Sequence, residues 1–492
     1  MPRKIWKIWW SRPAGGRELL QLAVPLVVST VSWTVMNFID RMFLFWYSQS
    51  AIAAALAAGV THFALLCFPL GIASYATTFV AQYHGADRSE RIGAAVWQAV
   101  RFAGYTTPLL LLGIPLAPKL FALFGHDPEI QALEVLYFQV LTFGAGALVL
   151  GAALAAYFTG RGMTKVVMYV DCSAAVVNIV LDYLWIFGHA GFPKLGIEGA
   201  AWATVAALWM KVVVYLVVML APKSREAFGL VSGRRFDGLL MRRLLRFGAP
   251  SGLQLFVEVS AFTYFVLLVG MLGRDAMTAT SLAFNVNSIT FVPMFGLGMA
   301  VSTLVGQQLG RDAPNLAARA AWTGCQIGIV YSLLMGALYV STPDLFLFGH
   351  AAGVATGEFQ TLRATTALLL KFVAAYCLFD TVAVIFVSAI KGAGDTRFIL
   401  GVTLLMSPVP IALAWAGINY FDAGLLWCWT VLTGWICTAA VIYLVRFLGG
   451  RWREMRVIEP DLDPQSLRVD LRAPLTGQIG PEIAAAAVEI SP

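Results

Sequence analysis

Four carboxylates stand where the sequence offers them little water: Asp40, Asp182, Glu258 and Asp380 lie inside long apolar stretches. A charge at bilayer depth costs at least about 2.5 to 3.5 kcal/mol, so acids in such places are candidates for function. Asn178 and Asp182 are spaced i, i+4 and share one helix face, and Tyr376 and Asp380 have the same spacing. Oxygens of carboxylate, amide and hydroxyl gathered on one face suit a hard monovalent cation or a proton, because carboxylates taken out of water together demand a neutralising partner. A site that trades that partner for something else would couple an ion gradient to export.

Depth along the helix supports this reading. At about 1.5 Å per residue, Glu258 lies roughly 18 Å from Arg246 and Asp380 roughly 16 Å from Lys391, both near the midplane of a core about 30 Å thick. Asp182 lies roughly 26 Å from Lys165 by the same rise, and Asp40 falls near the outer end of its span. Arg41 adjoins Asp40 but points about 100° away around a helix. Lys371, about 13 Å from Asp380, is expected to snorkel outward. Lys211 and Arg101 have no assignable partner, and Asp171 is expected to be solvated near its span end. The five histidines show no ligand spacing and are expected in loops or at interfaces. The six cysteines form neither a disulfide framework nor a zinc pattern. No GxSxG, Walker A or HExxH motif appears, so neither an enzyme nor an ATP-driven machine is indicated, and no cofactor beyond a coupling Na+ or H+ is expected.

The elements that must hold these acids follow from composition. The chain has 492 residues, 59% hydrophobic and 12% charged, against about 25% charged for an ordinary soluble protein. Residues 42–86 and 276–310 contain no Asp, Glu, Lys or Arg. Stretches of that length read as membrane spans, and charge, Gly and Pro punctuate twelve of them: 19–46, 52–82, 94–116, 130–158, 166–188, 197–220, 244–272, 277–309, 319–341, 360–389, 398–418 and 423–447. With the N-terminus inside, one set of loops and tails holds 24 Lys and Arg and the opposite loops hold 4, namely Lys119, Lys194, Arg274 and Arg363. That asymmetry predicts both termini in the cytoplasm. The net charge of +7 is then a topology signal and not a sign of nucleic-acid binding.

An internal repeat joins the two halves. Pro25, Gly71, Gln82, Gly85 and Asp87 recur 225 positions later as Pro250, Gly296, Gln307, Gly310 and Asp312. The register then slips: Leu123 to His126 returns as Leu347 to His350 at 224, and Gly160, Gly162 and Thr164 return as Gly392, Gly394 and Thr396 at 232. Gly199 and Trp202 return at 225 as Gly424 and Trp427. Six spans per repeat make the copies parallel, the plan of transporters with a cleft between lobes. The expected organisation is an N-tail at 1–18, an N-lobe at 19–221, a cytoplasmic linker at 222–243, a C-lobe at 244–448 and a disordered C-tail at 449–492.

The chain resembles the multidrug and toxic compound extrusion (MATE) family over nearly all of residues 17–448. The resemblance is carried by LAVPLVVS and NFID in the first span, FVAQYHGAD after the second, NIVLD in the fifth and GIEGAAWATV entering the sixth. In the second half it is carried by FGAPSGLQLFVEVS, LVGQQLGRD, YCLFD and KGAGDTR. It implies an all-α integral membrane fold of twelve helices in two pseudo-symmetric six-helix bundles around a V-shaped cleft. It implies export of small amphipathic, often cationic compounds driven by entry of Na+ or H+. By motif match, Asp40, Asn178, Asp182 and Thr204, with the backbone near Ala200, look like an N-lobe cation site, and Glu258, Asn285, Tyr376 and Asp380 like a C-lobe site. Trp33, Phe38 and Phe43 are expected to line the substrate path. A monomer in a bacterial inner membrane is expected. The alternative is a flippase for a lipid-linked saccharide; such a protein favours a basic cleft, whereas here the buried acids outnumber the bases.

Overall fold

The structure is a computed structural model that describes residues 9–347 and 356–460. The basic start through residue 8, the second His of the Leu-Phe-Gly-His repeat with Phe348 and Gly349, and the tail from 461 lie outside the described residues. Two units divide the chain: residues 1–457 hold every helix named below, and the second unit, 458–492, contributes only its first three residues to the description.

Every regular element among the described residues is a helix, and none is a strand. Eleven helices are long and apolar enough to cross a membrane, and a bent pair makes a twelfth. The first lobe comprises α1 (Gly16–Tyr47), α2 (Gln49–Gly85), α3 (Ser89–Leu111 and Gly113–Ala122), α4 (Pro128–Gly160), α5 (Thr164–Phe187) and α6 (Ile197–Met219). The second comprises α7 (Gly238–Gly270), α8 (Arg274–Gly310), α9 (Pro314–Ser341), α10 (Thr356–Ala393), α11 (Thr396–Tyr420) and α12 (Leu425–Leu448). Each matches an expected span to within several residues.

Local chemistry sets the ends and breaks. Asp127 caps α4 by accepting from the Glu129 N–H with Pro128 in the first turn, and Asp237 caps α7 by accepting from the Leu240 N–H. Gly188 closes α5 at φ 75°, a left-handed conformation that glycine adopts without strain. The 48° bend of α3 follows Pro108 by one turn, and α11 breaks at Ser407 before Pro408.

Packing repeats as the sequence does. In the first lobe α4 lies against α2, α3 and α6, and α1 and α6 against α5; in the second, α10 lies against α8, α9 and α12, and α7 and α12 against α11. The lobes meet where α2 packs on α7 and α8 packs on α1 and on the end of α2. Lipid leaves no hydrophobic drive between helices, so close backbone approach through small residues does this work. A Cβ on Gly71 would meet Gly252 Cα at 2.4 Å, and one on Gly296 would meet Val27 Cγ2 at 2.8 Å and Val27 Cα at 2.9 Å. These two contacts are the same contact seen from either lobe, since 71 and 27 map to 296 and 252 at the offset of the repeat.

At the end that carries the basic loops the lobes interlock. Gln82 Nε2 donates to the Gly392 carbonyl at 3.1 Å, and its repeat mate Gln307 donates to the Gly160 carbonyl at 2.8 Å. Gly160 and Gly392 are themselves repeat mates. Gly85 and Gly310 bring the chains together here, for a Cβ would stand 2.0 Å from Gln307 O and 2.1 Å from Gln82 O respectively. Asp87 and Asp312 then turn the chain at φ 55° and 53°.

Two expectations about the connecting segments are refined. The linker is pinned to α3: Gly93 N–H donates to Phe228 O at 2.9 Å, Trp97 Nε1 to Leu230 O at 2.9 Å, and Arg91 pairs with Asp237 at 3.2 Å. The tail expected to be disordered from 449 instead begins as a packed segment. Trp452 is fully buried and stacks on Phe447 at 4.8 Å, and the Val457 N–H donates to Gln82 Oε1 at 2.8 Å. Apolar residues hidden among the Arg of 451–456 carry that segment.

Candidate functional site

Near the end of the first lobe remote from the basic loops, α1, α5 and α6 bring four of the expected groups together. Asn178 and Asp182, one turn apart on α5, are both fully buried, and Asp40 on α1 is 9% exposed. Asn178 Nδ2 donates to Thr204 Oγ1 at 3.4 Å. With its amide turned over, Asn178 donates to Asp182 Oδ2 at 3.1 Å and accepts from the Thr204 N–H at 3.3 Å, satisfying both ends. Ala200, also buried, is one turn before Thr204 on α6.

The two carboxylates interact electrostatically, and Tyr137 of α4 lies within reach of both. Tyr137 was not anticipated: it sits in an apolar run whose spacing gives no sign of the acids on two other helices. Asp40 Oδ1 and Asp182 Oδ1 are buried with no hydrogen-bond partner. Arg41 is exposed, makes no salt bridge to Asp40, and stays within electrostatic reach of it. Two close acids, each with an oxygen turned to no donor, form a site that needs a proton or a cation to exist in a low dielectric.

The C-lobe quartet is not assembled in this way. Tyr376 is 2% exposed and lies near Asp380, one turn on along α10. Asn285 on α8 is exposed. Glu258 on α7 faces a different set: its Oε1 accepts from Gln254 Nε2 at 2.9 Å and from Thr403 Oγ1 at 3.3 Å, and Lys391 lies within electrostatic reach. Equal depth estimated along two helices does not make two residues neighbours. Glu258 faces α11 through Thr403, while Tyr376 packs among residues of α8 and α9.

A cavity of about 420 Å3 lies beside the N-lobe acids, walled by α1, α2, α4, α5 and α6 of the first lobe and by α8 of the second. Trp33 lines it with Phe63, Phe291 and Phe295. Phe38 and Phe43 do not: Phe38 is 65% exposed elsewhere, and Phe43 packs with Trp46, Tyr183 and Phe187 beside the lobe core. Thr204 belongs to both cavity and acid site.

Three further expectations are corrected. Asp171 is not a solvated end group but sits on the cavity wall, where Lys211, expected without a partner, pairs with it at 2.6 Å. The partner comes from the neighbouring helix α6, which the sequence does not reveal. His62 is not at an interface with water: it is 8% exposed in α2 and packs edge-on against Phe138 at 5.7 Å. No group of three or more metal-ligating side chains occurs among the described residues.

Comparison with known proteins bears on the fold and the family. A family model described as MatE matches residues 25–184 and 250–416, one match in each lobe. Among solved structures, an outward-facing multidrug resistance MATE family transporter of the MOP superfamily superposes with a TM-score of 0.81 at 17% identity, covering 92% of this chain and 98% of that one. The eukaryotic MATE transporter AtDTX14 gives 0.78 at 21% identity over 89% and 96%. A MOP superfamily transporter from Pyrococcus furiosus gives 0.79 at 18% identity over 91% and 97%. At these identities the likeness to the solved structures is one of fold.

Proposed function

The chain belongs to the MatE family, a family of membrane transporters, and from that premise we propose that it is a secondary exporter of small amphipathic organic compounds, driven by Na+ or H+ entering through the N-lobe. The observation that carries this is the pair Asp40 and Asp182, buried together with one unpartnered oxygen each beside an aromatic cavity.

The chemistry follows from charge. A cation or protons on the pair remove the cost of holding two carboxylates in lipid, so the loaded lobe can close. When the ion leaves, the bare acids favour an arrangement that re-exposes them. Thr204, shared by the acid site and the cavity wall, lets the state of one be felt by the other. By the distribution of Lys and Arg, the interlocked end is cytoplasmic, as are both termini. The Gln82 and Gln307 bonds then form a closed inner gate, and alternating access opens it while the opposite end shuts. The twelve helices act as lobes 19–221 and 244–448, in a bacterial inner membrane and as a monomer.

Everted vesicles test this reading. A sodium gradient and a pH gradient are imposed separately while a fluorescent organic cation is followed. Uptake driven by at least one gradient, lost in Asp40→Asn and Asp182→Asn proteins that still insert, supports it. Undiminished uptake by both variants removes the N-lobe from coupling.

A further inference from the structure

The cavity has a charged end that the acid pair does not use. Among its lining residues Asp171 and Lys211 alone carry charge. They differ in how far they are satisfied. Asp171 Oδ1 accepts from Lys211 Nζ at 2.6 Å and from the Tyr215 hydroxyl at 3.2 Å, and its Oδ2 accepts from the Ser29 hydroxyl. Three protein donors therefore hold the carboxylate. An ammonium has three N–H donors, and Lys211 spends one on Asp171; no second hydrogen-bond acceptor meets Nζ among the described residues, and the Tyr215 ring is 5.8 Å away. An organic cation arriving here meets an acid already occupied and a positive charge beside it. A carboxylate arriving here meets two directed donors whose position Asp171 maintains.

The rest of the wall suits the body of such a molecule. Trp33 and Phe63 face it from the first lobe, Phe291 and Phe295 from the second. A volume of about 420 Å3 accommodates a small aromatic compound. Lys211 follows Thr204 by seven residues on α6, so their backbone positions are about 10 Å apart along the helix, and both line the one cavity.

We infer that Lys211 is the anchor for a substrate carboxylate and that the exported compounds include flat aromatic carboxylates, with Asp171 as the residue that positions the ammonium. This rests on the export reading above and deepens it by naming a substrate class.

The test uses the full chain in everted vesicles, with coumarin-3-carboxylate and a fluorescent organic cation as paired probes and the coumarin methyl ester as control. A charged hydrogen bond lost from a desolvated site lowers apparent affinity by about tenfold to a hundredfold. Lys211→Met is expected to lower the ratio of carboxylate to cation flux by about tenfold or more, and Lys211→Arg to restore it in part. Should Lys211→Met leave Asp171 uncompensated and fail to insert, the neutral pair Asp171→Asn with Lys211→Met supplies the same ratio. A flux ratio unchanged in these variants, or a wild-type protein that moves the cation but not the carboxylate, overturns the inference and leaves the export reading standing. A wild-type protein that moves neither probe under either gradient overturns both.

Discussion

Replacing Gln82 and Gln307 together by Leu is expected to unlock the basic end of the molecule. Gln82 donates to Gly392 O of the opposite lobe at 3.1 Å and accepts at 2.8 Å from the N–H of Val457, in the tail segment that Arg243 of α7 holds, and Gln307 donates to Gly160 O at 2.8 Å. All three must break when the lobes separate there. At about 1 kcal/mol each the double variant loses about 3 kcal/mol of preference for the closed end, a fall of about two orders of magnitude in the ratio of closed to open molecules. Leu keeps the side-chain bulk and the helix, so the change isolates the polar contacts. Spin labels at the exposed repeat mates Glu90 and Asn315 report the separation of the lobes as a distance distribution. The expected result is a new, longer component in Gln82→Leu/Gln307→Leu and a smaller one in either single variant. A double variant whose distribution matches the parent would refute the assignment of this contact as the gate.

Three other outcomes are expected. Glu258→Gln and Asp380→Asn should act independently, because the groups that surround Glu258 are Gln254, Thr403 and Lys391 and do not include Asp380; their effects on gradient-driven transport should add within about 0.5 kcal/mol, whereas a larger coupling would mean that they share a site. Gly71→Ala should destabilise the lobe seam by about 1 to 3 kcal/mol, since the new methyl meets Gly252 backbone at 2.4 Å; thermal denaturation in detergent reads this, and an unchanged midpoint counts against the tight seam. Trp452→Ala should cost about 3 to 5 kcal/mol of stability through loss of the buried indole stacked on Phe447, measured in the same way; a neutral variant would return the start of the tail to the disordered class.

The membrane fold, its count of spans and its duplication were legible in one dimension, because each depends on local or periodic properties. Apolar length decides what crosses lipid. Basic loops decide which ends lie together, and a constant offset between Pro25 and Pro250 or Gln82 and Gln307 exposes the repeat. Asn178 and Asp182 were legible as a pair for the same reason, being one turn apart on one helix.

What the sequence could not decide is which helix faces which. Lys211 and Asp171 are 40 positions apart and meet because α5 and α6 pack side by side. Tyr137 joins the acid site from α4, and Glu258 turns toward Thr403 and away from Asp380. The repeat revealed that Gln82 and Gln307 correspond, but only the tertiary structure put each against the glycine carbonyl of the other lobe. The physical reason is common to all of these. Rotation of a helix about its axis is set by close packing of small residues and by polar groups seeking partners across helices, and in lipid nothing in a helix's own hydropathy fixes that angle.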